Sequence, residues 1–221
     1  MEIQEDGDVY FFYRPRVGSE RVRSRDDVQR LLMVLHPWPR RLLRLLVAGR
    51  KRLPEITSHE RTWWYVDDVV ERAEELRWVL ERRSYQTKTL GERVQPPARP
   101  AGEGAYAIAR HGDHTHLAYE LALPRQPGPV QRELNIEPAA SYIVAVRDLR
   151  TRRFVRLDRP EVLDWSGTEI VLIGATHDAA RELDLDVDTE VEQAARRSAF
   201  DDLRIARDGR PVQPLLSGEW R

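Results

Sequence analysis

The amino-acid sequence predicts an α+β fold, a largely antiparallel sheet with a few packed helices. Three observations predict it. Short segments rich in β-branched and aromatic residues recur along the 221 residues. Two segments, 28–35 and 69–80, carry apolar residues at helical spacing. The regular alternation and exclusively apolar strands of a parallel doubly wound sheet are missing.

Residues 9–13 (VYFFY) read as the first strand. Ser24 then opens a predicted helix, because SRDD resembles a capping box with Asp27 in place of the usual Glu. Val28, Leu31, Leu32 and Leu35 form its apolar stripe, and His36-Pro37 stops it. Residues 42–47 (LLRLLV) and 62–66 (TWWYV) are predicted strands; Trp63 and Trp64, being adjacent, must point to opposite faces. A second helix is predicted from Asp67, with Val69, Val70, Ala73, Leu76 and Leu80 on one side.

The stretch 85–104 is dense in Pro and Gly and long for a connection within one domain. It suggests a basic N-terminal unit over residues 1–90, a linker or functional loop over 91–104, and a C-terminal unit over 105–221. In the second unit the expected elements are a hairpin over 104–123, a short helix over 130–134, and strands over 142–146, 154–157 and 170–173. Thr189 with Glu192 marks one more helix, running to about Leu203. VQRLL at 28–32 and VQREL at 130–134 each stand between strands, a faint symmetry that suggests two similar strand–helix–strand units.

Composition suits an ordinary globular chain, with 41% apolar and 33% charged residues. No apolar run approaches the roughly 20 residues needed to span a bilayer, so no membrane partner is expected. Cysteine is absent, which removes disulfides, thiolate metal sites and cysteine nucleophiles. The N-terminus begins acidic where a signal peptide would begin basic, and a cytoplasmic location is the expectation.

The net charge of −1 hides an uneven distribution, with +5 over residues 1–53 and −6 over the remainder. A basic patch attracts phosphates. Arg50, Lys51 and Arg52, with Lys88 and Arg93 from the later polar loop, are the candidates for an anion or a nucleic acid. The same arginines can instead meet the acidic segment 182–192 of their own chain or of a second copy, which would make a homo-oligomer. If Phe11 and Tyr13 face outward beside Arg14 and Arg16, they could stack bases of a single strand.

The most informative stretch is GAYAIARHGDHTHLAYELAL, residues 104–123. Gly112-Asp113 is a two-residue loop of the type II′ kind. That turn pairs His111 with His114, Ala109 with His116, Ala107 with Ala118 and Ala105 with Glu120. One face then carries Tyr106, Ile108, Leu117, Tyr119, Leu121 and Leu123, which is core material. The other carries three histidines and a glutamate over a floor of alanines. His-x-His on a strand can present two imidazoles to one divalent metal ion, with a carboxylate completing the set.

HTHLAYE also resembles the first sequence motif of the cupins over those seven residues. The resemblance implies that His114, His116 and Glu120 hold an iron, manganese or zinc ion. Ile108 stands where cupins have a glycine, and no second motif follows. Along a strand His116 and Glu120 lie ~13 Å apart, so His111, opposite His114, is the nearer third ligand.

No other motif names a reaction. Gly-x-Ser-x-Gly, HExxH and the phosphate-binding GxxxxGK[ST] are all missing. Ser141, Ser166 and Ser198 have no histidine at motif spacing, and His177 stands alone after a strand. The sequence therefore leaves three readings open. The first is a non-enzymatic binding or interaction role. The second is a metal-dependent enzyme using His111, His114, His116 and Glu120, and the third is single-strand binding through the basic half.

Overall fold

In the computed structural model, which describes residues 2–89, 91–176, 203 and 211–220, strands rather than helices dominate. They are β1 (Glu2–Pro15), β2 (Val28–Pro37), β3 (Leu43–Ala48), β4 (Arg61–Val70), β5 (Arg83–Thr87), β6 (Gly91–Gln95), β7 (Arg99–His111), β8 (His114–Leu123), β9 (Ala139–Arg147), β10 (Phe154–Arg156) and β11 (Glu169–Thr176). Eight of them close into one antiparallel barrel in the order β1-β2-β3-β4-β11-β9-β8-β7. The α+β expectation, with its packed helices and repeated strand–helix–strand units, is overturned by that closure.

The helix predicted after Ser24 shows why. Ser24 does cap a helical turn, accepting from the Asp26 amide, but the turn is a three-residue 3-10 piece, Arg25–Asp27. Leu31, Leu32, Met33, Val34 and Leu35 then form an unbroken buried run. Leu31, Met33 and Leu35 point into the barrel, while Leu32 and Val34 pack on its outer side. A strand covered on both faces loses its alternation and mimics a helical stripe. The outer cover is the second predicted helix, shortened. β4 takes its first half to Val70, and a 3-10 turn (Ala73–Leu76) and α1 (Arg77–Leu80) lay Leu76, Val79 and Leu80 on the wall. The other short helices are α2 (Pro129–Leu134) and α3 (Gln213–Leu216). No helix among the described residues is long and apolar enough to cross a membrane.

The Pro/Gly-rich stretch is neither a bare loop nor a linker. Its first part forms β5 and β6, a two-stranded arm, and its second part opens β7. Strands from both sides of it build the same barrel, β1 pairing with β7 from Glu2 to Tyr13. Gly104 lets that wall bend, since a Cβ there would stand 1.9 Å from the Glu120 carbonyl oxygen. The predicted helix from Thr189, the acidic segment 182–192 and His177 lie outside the described residues, Leu203 excepted.

Aromatic side chains crowd the barrel interior. Phe11, Tyr13, Trp64, Tyr106, Tyr119 and Tyr142 fill it with side chains almost wholly removed from water. Phe11 meets Tyr119 edge to face, with centroids 4.9 Å apart. Phe11 and Tyr13 are therefore core residues and not an outward stacking surface. One barrel end is plugged by α2, by Leu53 and Ile56, and by Trp220, whose ring lies 5.3 Å from that of Tyr13.

The other end holds charge. Arg44 is fully buried and fork-paired to Glu5, Nη1 to Oε1 at 2.5 Å and Nη2 to Oε2 at 2.8 Å. Its Nε also donates to Asp164 at 2.8 Å, and Tyr106 donates to Glu5 at 2.9 Å. Burial opposes the charge on Arg44, but the bonds to Glu5 outweigh it and hold the guanidinium protonated. Asp164 closes the 3-10 segment Pro160–Asp164, whose Leu163 enters the core, so the ion network fastens the lid of this end.

Arg44→Leu leaves two carboxylates facing an apolar side chain and is expected to cost about 3 kcal/mol, or ~10 °C in Tm for a chain of this size. Adding Glu5→Leu is expected to recover part of that loss, because the stranded buried charge is then gone. Urea and thermal unfolding of the two variants check both statements.

Candidate functional site

With the interior filled, the usable surface is the outer wall. β9 shapes it by changing partners along its length. From Ala139 to Ile143 it pairs with β8, and from Ala145 to Arg147 it pairs with β10. The hairpin therefore leaves the wall at His116, β10 takes its place, and a cleft of about 800 Å3 opens between them. Ile143 and Ala145 of β9 and Ile173 of β11 make the floor; the hairpin tip and Phe154–Arg156 make two walls. His59 and Arg61, at the start of β4, close a third side.

The hairpin has the register its turn predicts, with His111 opposite His114, Ala109 opposite His116 and Ala105 opposite Glu120. Gly112 takes φ 61°, which the first position of this turn requires. Tyr106, Ile108, Leu117, Tyr119 and Leu121 face the core as expected. Leu123 departs: a bulge after Glu103 turns it to the outer cluster.

Each imidazole has a distinct setting. His116 is buried, with Nδ1 2.9 Å from the Ser141 hydroxyl and its ring centroid 6.2 Å from that of His111. Burial first, and then the positive charges that His111 and His114 can carry, push its pKa down to about 4. It is neutral at pH 7. His114 is half exposed, with Nε2 3.3 Å from an Asp113 oxygen. His59 sits in left-handed backbone, φ 49°, and its Nδ1 lies 2.9 Å from the Gly174 carbonyl oxygen. A carbonyl only accepts, so Nδ1 carries a proton toward it. Arg61 is exposed and makes no ion pair among the described residues, while Arg156 is held by Asp158 at 2.7 Å.

The metal reading of His111, His114, His116 and Glu120 finds no convergent ligand set. Among the described residues no group of three or more His, Asp or Glu can hold a metal ion. Ser141 occupies one nitrogen of His116, and Glu120 lies four residue pairs further along, opposite Ala105 and Ala139. Ser141 and His116 do meet, a contact no sequence spacing announces, but Ser141 is fully buried and beyond a substrate's reach.

The basic candidates are dispersed. Arg50 and Arg52 both bind Glu60, and Lys51 donates to the Arg25 and Asp26 carbonyls, capping that 3-10 turn. Lys88 and Arg93 stand apart on the β5–β6 arm. His59 and Arg61 were invisible to motif reasoning, for they reach the cleft only through the β4–β11 pairing, in which Arg61 lies opposite Ile173. Among known protein families, curated proteins and solved structures, none matches this chain.

His116 titrates near 6.5 when unfolded and near 4 when folded, so the unfolded chain binds the extra proton between those values. Its stabilising effect is complete above pH 6.5 and is lost as pH falls toward 4. The groups facing it are His111 and His114 on its own hairpin and Ser141 on β9, with Arg61 and His59 across the cleft. Between pH 7 and pH 4, the wild type is expected to lose on the order of 3 kcal/mol more than His116→Gln. Urea unfolding of both proteins at the two pH values checks this.

Proposed function

We propose that this protein is a non-enzymatic binding module whose outer-wall cleft takes an anionic group, a phosphate or a carboxylate. One observation carries the reading. Four of the chain's six histidines, with Arg61 and Arg156, line a single cleft in which, among the described residues, Asp113 is the only carboxylate. Imidazole and guanidinium N–H groups are anion donors, and a partly apolar floor strengthens their bonds by excluding water.

The parts divide naturally. Arg61, unpaired within the described chain, supplies the fixed positive charge. His111 and His114, on the exposed tip, supply further N–H donors. His116, neutral and wedged against Ser141, sets the floor of the hairpin side. Ile143, Ile173 and Phe154 offer contact to an apolar or planar part of the ligand.

Inorganic phosphate titrated into the protein at pH 6 is expected to shift the ring resonances of His111, His114 and His59. Arg61→Ala is expected to weaken it roughly tenfold, the worth of one charge-assisted hydrogen bond. Imidazole resonances that ignore both phosphate and acetate at pH 6 would overturn the reading.

A further inference from the structure

We infer that the surface running from this cleft across β4 to a second cavity beside α1 is a track for single-stranded nucleic acid. The inference names the ligand class of the cleft and rests on the anion reading above. Its starting point is the outward side of β4, where alternate residues are Arg61, Trp63 and Tyr65. Trp63 is 61% exposed, although Trp64 beside it is among the largest buried side chains. A large aromatic ring left in water, on a strand whose other face is core, has no role in holding the barrel.

The strip continues beyond β4. The Tyr65 hydroxyl accepts from Arg30 at 3.3 Å, over the top of β3, and Arg30 lies opposite Arg14 in the β1–β2 pair. Next comes a cavity of about 360 Å3 between the wall, α1 and the β5–β6 arm. Arg14, Arg30, Arg83, Trp78 and Tyr85 line it, with Asp67 as its carboxylate. Trp78 is 55% and Tyr85 45% exposed, and the Arg83 guanidinium sits 5.0 Å from the centre of the Trp78 ring. Glu169, the neighbour of Tyr65 on β11, is already held by Arg147 at 2.5 Å.

Exposed aromatic planes alternating with guanidiniums match an unpaired nucleic-acid strand more closely than any other polyanion. The rings can stack on bases, and the arginines can hold the phosphates between them. Alternate β4 side chains stand ~7 Å apart, within reach of successive bases of an extended strand. A duplex hides its base faces and could use only the arginines. The chain's near-zero net charge is no obstacle, because Arg61, Arg30 and Arg83 supply positive charge locally along the strip.

The test uses the full chain and a fluorescein-labelled oligothymidylate of a dozen nucleotides, followed by anisotropy. Binding is expected at low salt. It should weaken with log salt at a slope of about −0.7 per phosphate held, and quench tryptophan fluorescence. Trp63→Ala and Trp78→Ala are expected to weaken it at least ~5-fold each, and Arg30→Ala with Arg83→Ala to flatten the salt slope. These side chains are largely exposed, and an unchanged Tm confirms that each variant is folded. No anisotropy change at low salt, equal affinity for the matching duplex, or indifference to both tryptophan substitutions overturns the track. If phosphate still shifts the cleft imidazoles in that case, the anion reading survives alone; if it does not, both fall.

Discussion

The molecule depends on a short seam. Five residue pairs, from His116 opposite Ile143 to Glu120 opposite Ala139, join β8 to β9 and turn an open sheet into a barrel. Closure satisfies the backbone groups that two sheet edges would otherwise expose, and it encloses an aromatic core. Because the seam stops at Ile143, the remainder of β9 is free to take β10. The cleft is the gap left by that exchange of partners. Fold and site thus have one cause: the length over which two strands agree.

Polar groups are buried here in two ways. Arg44 keeps its charge inside because each of its three nitrogens meets a carboxylate, and its partners Glu5 and Asp164 lie far apart in the chain. His116 instead gives up its charge, held neutral against Ser141. The first arrangement fixes a lid, and the second keeps the His116 ring uncharged until the solution turns acidic.

Local chemistry was readable where a turn governed it. The Gly112-Asp113 reversal set the pairing of the whole hairpin, and its core face followed. Periodicity misled where burial was two-sided. VQRLL became strand β2 because the barrel and the α1 layer cover both its faces, whereas VQREL, capped at Gly128, became α2. Counting charges misled as well. Arg50, Lys51 and Arg52 are adjacent in sequence, yet they are spent on Glu60 and on a helix end. Arg61, Trp63 and Tyr65 carried a legible signal, strict alternation on a strand, but their neighbours Arg30 and His59 arrive only through tertiary pairing.

Closure also governs how copies of this chain can meet. Among the described residues, the strand that ends the main sheet beyond the barrel is β10, three residues long. Arg152, Arg153 and Arg159 flank it, and Arg156 ends it. An edge so brief and so cationic is a poor template for strand addition between molecules. Fibrous self-polymerisation is thereby discouraged by architecture, with the arginine-rich rim acting as its gatekeeper.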